Sequence, residues 1–348
     1  MSPSPARPST ASETRSADLR VAIVGAGLSG LRAARILQDS GRCDVQLFEK
    51  ARGVGGRTSL RRADSFAFDH GAQYFTARDA GFRAQVDAWV EAGVAAPFEA
   101  KLAGIPREGS LQFKKSDSTE RFVGMPGMNA MAKAMAEDLM IEVRARVDSL
   151  EPEDDGRWTL RFIDGREESG FDVVLVTAPA PQAKALVAAS EKLREVAASV
   201  SMQPCWAAMV VFAERFDAPF DGAFIDAGPL SWACRNSAKP GRPEGDAWVL
   251  HASPAWTQSH LDLEREEIAS RLTTALGEAA GIPTPEYLHA DAHRWMYSNV
   301  REPREDGAVF DDELGLGLAG DWLNGAKVQG AWLSGQALAE AVLAARAR

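Results

Sequence analysis

Cysteine, tyrosine and basic charge are all scarce in this 348-residue chain. Cys43, Cys205 and Cys234 form no C-x-x-C pair, and no histidine stands at zinc-ligand spacing. That excludes a disulfide scaffold and a zinc site, fits a reducing compartment, and leaves no metal expected. With 39 Lys and Arg against 49 Asp and Glu, the formal charge of −10 has the wrong sign for a dedicated nucleic-acid binder. A local basic patch is still enough for an anionic small molecule. No apolar run reaches the ~18–20 residues that cross a bilayer. The first stretch, MSPSPARPSTASETRSAD, lacks the apolar core of a signal peptide and reads as a disordered tail over 1–18, so the cytoplasm is the expected location. The remainder, 45% hydrophobic and 25% charged, supplies a sizeable core, and the length predicts two domains.

Order is expected from Leu19. The apolar run Val21 to Val24 leads into Gly25-Ala26-Gly27-Leu28-Ser29-Gly30, and Leu31, Ala34 and Leu37 then mark one face of a helix that Gly41 ends. Val45 to Phe48 is a second strand with Glu49 at its tip. Asp79 caps a helix with Phe82, Val86, Trp89 and Val90 inward, and Met128 to Leu139 also reads as helical. Val143 to Phe162 reads as two extended pieces around an acidic turn, and Phe171 to Thr177 as a strand buried on both faces. From about Pro181 to His289 the character changes to antiparallel strands and a helix with Ile268, Leu272 and Leu276 inward. Leu314 to Ala319 and a helix from Gly330 then return to the first style. The expected fold is α/β, a Rossmann-type dinucleotide-binding domain with a second α+β domain.

Gly25, Gly27 and Gly30 form a G-x-G-x-x-G set between strand and helix. The first permits a tight turn, the second lets backbone approach a pyrophosphate, and the third lets helix and strand pack closely. The pyrophosphate would rest on free helix N–H groups, and Glu49 would accept the ribose hydroxyls. Two further segments point to FAD. In Arg52-Gly53-Val54-Gly55-Gly56-Arg57-Thr58, adjacent glycines let backbone run along a flat ring, and Arg57 can pair with the pyrophosphate. At the other end, Asp321 after Gly320 can bind a sugar-alcohol hydroxyl. The helix opened by Gly330 can face a flavin ring that gains negative charge on reduction.

The set GAGLSG, RGVGGRT, DHGAQYFT, FVGMPGM, FDVVLVTAPAP, HRWMYSNV and GLAGDWLNGAKVQGAWLSG resembles renalase and its bacterial relatives, within the amine-oxidase-like FAD flavoproteins of p-hydroxybenzoate-hydroxylase type. The resemblance runs from about Arg20 to the C-terminus. It implies noncovalent FAD held by Gly25, Ala26, Gly27, Leu28, Ser29, Gly30, Glu49 and Lys50 at the nucleotide end, with Val147 and Thr177 beside them. Gly56, Arg57, Thr58, Gly71, Ala72 and Gln73 follow along the cofactor, and Gly320, Asp321, Val328, Gln329 and Gly330 lie at its flavin end. It implies an FAD domain of 19–76, 121–181 and 290–348, and a substrate domain of 77–120 and 182–289. Tyr74, Trp232, Asn236, His251, Trp295 and Tyr297 are the implied catalytic and pocket residues.

The implied activity is oxidation of 2- and 6-dihydro isomers of β-NAD(P) to β-NAD(P)+, by hydride transfer to the flavin, with dioxygen reduced to hydrogen peroxide. The expected partners are therefore a small dinucleotide and dioxygen. Two other readings stand beside it: an amine oxidase or related flavin dehydrogenase, and a non-catalytic flavin-binding or signalling protein. No cysteine follows Cys234, so a C-terminal flavin tether is impossible within this chain. None of the three tyrosines, Tyr74, Tyr287 and Tyr297, lies in the terminal flavin segment, which puts the usual amine cage in doubt. A dihydropyridine becomes aromatic on losing hydride, so it needs shape, stacking and charge complementarity more than a general base.

Overall fold

The computed structural model describes residues 19–107, 111–113, 119–226 and 228–346; the expected tail over 1–18 lies outside them. Two sheets organise the chain. The first has six strands in the spatial order Ala308–Asp311, Leu316–Ala319, Val173–Val176, Leu19–Val24, Cys43–Glu49, Met140–Val143. All neighbours are parallel except the antiparallel edge strand Ala308–Asp311. Its strands come from the beginning, the middle and the end of the chain.

Continuous apolar runs are explained by cover on both faces. Val21 and Ile23 join the core beneath helix Leu28–Asp39, together with Leu31, Leu37 and Leu338. Ala22 and Val24 point the other way, into a core shared with Trp158, Leu160 and Phe171 of a three-stranded antiparallel sheet. Val173 and Leu175 against Val174 and Val176 repeat the alternation, the period-2 geometry of a strand. Each side chain therefore finds an apolar partner whichever face it meets.

The second sheet has seven strands in the order Tyr287–Val300, Met202–Phe212, Asp246–Ala252, Leu230–Arg235, Gly222–Ile225, Leu102–Ile105, Gln112–Phe113. One face, with Trp206, Val210, Trp248 and Leu250, packs on helix Arg265–Ala280 through Ile268, Leu272 and Leu276. On the opposite face Met209, Val211 and Val249 cluster with Phe68, so the chain leaving strand Phe66–Phe68 runs across this surface. That crossing positions the site.

Several expectations shift. Residues 290–300, assigned from sequence to the cofactor domain, pair with strand Met202–Phe212 as far as Val300, so the return to the first sheet comes after that residue. Their polar, alternating character suits an edge strand and hides the affiliation. The helix expected over 128–139 is confined to Ala130–Ala136, because the chain turns into strand Met140–Val143 through Asp138, whose φ of 57° is left-handed. Phe171 ends a strand of the three-stranded sheet, and the central strand begins at Val173. Asp79 caps its helix as expected, accepting from the Phe82 N–H at 2.9 Å.

The C-terminal helix Val328–Ala345 crosses helix Leu28–Asp39 at backbone distance. A Cβ on Gly335 would stand 2.1 Å from the Ser29 carbonyl oxygen, and the Ser29 hydroxyl donates to the Ala331 carbonyl at 2.7 Å. No side chain fits at 335 without separating the helices. Gly335→Val should lower stability by about 3 kcal/mol in urea unfolding; an unchanged midpoint would mean that the crossing does not constrain the fold.

Candidate active site

The first strand ends in Gly25, whose φ of 108° favours glycine, and the Gly25 N–H donates to the Phe48 carbonyl at 2.9 Å. Helix Leu28–Asp39 then begins at Gly27 with no side chain on its first N–H groups, and a Cβ added to Gly27 would meet nothing within 4 Å. Leu28, Ser29 and Gly30 form its buried first turn, and a Cβ on Gly30 would lie 2.0 Å from the Gly25 oxygen. Thr177, at the end of the neighbouring strand, donates to the Gly25 and Val24 carbonyls at 3.0 and 3.1 Å, fixing the turn from below. Glu49 is buried across its mouth, accepting from Ala26 N at 2.9 Å and Ala51 N at 2.7 Å. Val147 is buried nearby, in the strand after Ala145, whose N–H donates to the Glu49 carbonyl at 2.9 Å. Lys50, its pKa lowered by burial against the attraction of Glu49, donates to Gln182 at 2.9 Å.

The second glycine loop docks on the first. Gly55 N donates to the Ala26 carbonyl at 2.9 Å, and a Cβ on Gly56 would come within 3.6 Å of the Gly27 Cα. Thr58 closes this loop onto the Gly55 carbonyl at 2.8 Å. Arg57 and Asp321, which the sequence suggests as separate ligand contacts, are each other's partners in a two-pronged ion pair. Arg57 also donates to the Ser298 carbonyl at 3.0 Å. Gly320 N donates to Ser334 Oγ at 2.8 Å, and Gly330 sits where a Cβ would collide with the Asn324 carbonyl. Val328 opens the last helix, again without a side-chain cap. Gln329 is engaged elsewhere: its Oε1 accepts from Arg78 N and Asp79 N at 2.6 and 3.0 Å.

Open space over Gly27, uncapped N–H groups at two helix starts, and an anchored buried carboxylate fit an extended dinucleotide that carries a flat ring. The residues named above would hold FAD; the placement of each against it is a proposal.

On the second sheet, strand register sets Trp232 opposite His251, His251 opposite Ala207, and Ala207 opposite His293, with Cys205 opposite Trp295 in the next row. The chain from His70 to Tyr74 lies against these rows. The His70 carbonyl accepts from Trp295 Nε1 at 2.9 Å and from His251 Nε2 at 3.3 Å. The His70 ring lies 4.9 Å from both the His293 and Trp295 rings. A Cβ on Gly71 would stand 2.0 Å from the Arg57 oxygen and 3.5 Å from the Trp295 ring, and Ala72 N donates to that same oxygen. Tyr74 packs 5.7 Å from Trp232, centroid to centroid. Trp232 Nε1 and His70 Nδ1 are buried and have no protein partner.

Burial holds all three imidazoles neutral. His70 is pushed down to about 3 by burial and then by His293 and Arg61, while His251 and His293 fall to about 4, burial again leading. Arg61 lies 3.2 Å from His293 Nδ1; since a guanidinium only donates, that nitrogen accepts and the proton sits on Nε2.

Asn236 departs from expectation. It is 1% exposed, its Oδ1 accepts from Asp69 N and Lys239 Nζ, and its Nδ2 donates to the Ala67 carbonyl. It clamps two loops, with one of its two amide hydrogens so engaged. Tyr297 falls in the register-irregular stretch between Trp295 and Asn299 and, like Trp295, is partly buried, next to exposed Met296. His70, His293 and the buried cluster of Asp69, Lys239 and Arg242 were not singled out from sequence. The DHGAQY motif contained the first signal, because an Asp-His pair precedes its glycine.

Residues 95–343, more than half of the chain, match the family model of flavin containing amine oxidoreductases, and residues 23–86 match that of an NAD(P)-binding Rossmann-like domain. The fold is similar to a solved structure from Exiguobacterium sp. 255-15 described as "putative protoporphyrinogen oxidase". The TM-score is 0.76 at 14% identity, over 93% of this chain and 98% of that one. It is also similar to putrescine oxidase bound to putrescine, with a TM-score of 0.66 at 15% identity over 94% and 99% of the two chains. At such identities the likeness speaks for the fold alone. Curated relatives match over short stretches. Carotenoid 3,4-desaturase of Haloarcula japonica is 44% identical over 59 residues, 17% of this chain and 12% of that enzyme. The zeta-carotene-forming phytoene desaturase of Myxococcus xanthus is 48% identical over 52 residues, 15% and 10%. The chain thus spans about a tenth of the length of these desaturases. Fold and family together define a flavoprotein that takes FAD. The chain belongs to the flavin-containing amine oxidoreductase family.

Two outcomes follow from this geometry. Thr177→Val keeps the shape but orphans the Gly25 turn, and should weaken FAD binding about tenfold in a fluorescence titration; unaltered affinity would remove Thr177 from the cradle. Imidazoles normally titrating at 6.5 remain neutral here until about 3 to 4. As pH falls from about 6.5 to about 4, the unfolded chain binds protons that the native one does not. Stability therefore drops by about 1.4 kcal/mol per pH unit for each well-buried imidazole, and by less for half-exposed His293. Urea unfolding across that window should show the slope, and His251→Asn should flatten it; a pH-independent midpoint would contradict the neutral cluster.

Proposed function

We propose that this protein oxidises the 2- and 6-dihydro isomers of β-NAD(P) to β-NAD(P)+, as the renalase-like motifs imply. The observation that carries this reading is the neutral aromatic surface made by Trp232, Trp295, Tyr74 and the imidazoles of His70, His251 and His293. Of the carboxylates bordering it, Asp321 is held by Arg57 and Asp69 by Lys239 and Arg242. An ammonium substrate would meet Arg61 and neutral rings, with Asp291, which draws on His293, as the nearby carboxylate. A neutral dihydropyridine meets stacking partners instead, and the positive ring it becomes is favoured by aromatic faces.

Bound FAD supplies a two-electron acceptor and returns those electrons to dioxygen. In balance, one dihydropyridine, one proton and one dioxygen give one pyridinium and one hydrogen peroxide. The protein's part is to bind, orient and exclude water. Trp295 and Tyr74 wall the ring, and the His251 N–H bond to the His70 carbonyl keeps the loop over the sheet. The flavin is held noncovalently, since all three cysteines are buried and none lies in the last chain segment. Among the described residues no helix is long and apolar enough to cross a membrane, and a cytoplasmic site of action is part of the proposal.

Anaerobic mixing of the holoenzyme with equilibrated dihydro-NAD isomers tests this reading. The 2- and 6-isomers should bleach the flavin rapidly, and admitting oxygen should restore the colour with hydrogen peroxide formed. Equally fast bleaching by ordinary 4-dihydro-NADH or by putrescine would overturn it, and no bleaching by any donor would favour a non-catalytic role.

A further inference from the structure

Behind the Gly71–Gln73 loop lies a charge imbalance that the proposed reaction does not use. The side chains of Asp69, Lys239 and Arg242 have no solvent exposure. Asp69 Oδ2 accepts from Lys239 Nζ at 3.1 Å and from Arg242 Nη2 and Nε at 2.6 and 3.2 Å, while Oδ1 accepts from Met128 N at 2.9 Å. Two buried cations therefore share one anion. Arg242 directs its remaining donors to the Gly124 and Pro240 carbonyls at 2.6 Å each. Lys239 directs its own to neutral oxygens, Gln73 Oε1 at 3.2 Å and Asn236 Oδ1 at 3.4 Å. Gln73 in turn donates to the Asp69 and Gly71 carbonyls, so the excess cation is one side chain away from the loop backbone.

Burying an unmatched ammonium is costly, and an apolar residue at 239 would leave Asp69 and Arg242 as a matched pair. A purely structural cross-link has no need of the second charge. We propose that Lys239 is a positioning residue that holds a net positive charge behind the Gly71–Gln73 loop and thereby favours reduced FAD over oxidised FAD. The inference rests on FAD running along Gly71, Ala72 and Gln73, as the resemblance implies, and is independent of the substrate. The reduced ring carries negative charge, and an uncompensated buried charge nearby shifts such an equilibrium by about tenfold.

The test is the midpoint potential of FAD in the holoenzyme, with oxidised-FAD affinity measured in parallel. Lys239→Met and Lys239→Gln remove the charge and leave the Asp69–Arg242 pair. Asn236→Asp places a carboxylate beside Lys239 and neutralises the excess with all three charged partners kept. Each should weaken reduced relative to oxidised FAD about tenfold, a drop of about 30 mV for a two-electron couple. Equal weakening of both redox forms, or an unchanged potential, would reduce the cluster to a structural cross-link and overturn the proposal. So would loss of FAD by all three variants. Because no dihydro-NAD enters the measurement, failure of the substrate reading leaves this result standing.

Discussion

The Asp69 carboxylate closes strand Phe66–Phe68 inside the protein, where it accepts from the backbone of Met128 in one sheet's territory and from Lys239 and Arg242 in the other's. Burial alone would raise its pKa, but the two cations outweigh that penalty and hold it below the ordinary carboxylate value. Removing one partner of a buried pair typically costs about 3–5 kcal/mol, since the charge left behind has nowhere to turn. The stretch that follows, His70 to Tyr74, therefore has a fixed starting point. It touches the glycine loop at Arg57 on one side and the Trp232–His251–His293 surface on the other. Both halves of the candidate site are referenced to that single anchored loop.

The two ends of the site differ in electrostatics. In the glycine-loop half, Glu49 and Lys50 beside the first loop and the Arg57–Asp321 pair beyond it are charged, and each is engaged by neighbours. On the second sheet, the imidazoles are kept neutral by burial, with the Arg61 guanidinium at the edge beside His293. Such a division suits a ligand pair with anionic linkers and flat rings, since matched charges lie in one half and aromatic faces in the other.

The strand–turn–helix–strand opening was legible because everything that makes it is local. Glycines, an apolar run and a terminal carboxylate all fall between Leu19 and Glu49. The helix capped by Asp79 was legible for the same reason. What escaped was long-range. Asp69 meets Lys239 and Arg242 across some 170 residues of chain, and no periodicity encodes such a meeting. Asn236 was misjudged because its partners, Asp69, Ala67 and Lys239, are visible only after folding. Strand Tyr287–Val300 was split wrongly because sheet membership depends on the partner strand, which its own residues do not name.

A sheet assembled from the first, middle and last parts of the chain has a temporal consequence. Strand Leu19–Val24 leaves the ribosome early, yet its neighbour Val173–Val176 and the outer strand Leu316–Ala319 arrive much later. The helix that seals the dinucleotide turn, lying on Ser29 through Gly335, is made later than all of these strands. Nascent domains otherwise fold in order of synthesis. Here the dinucleotide turn, though made early, stays unsealed until the helix that packs on Ser29 has been synthesised.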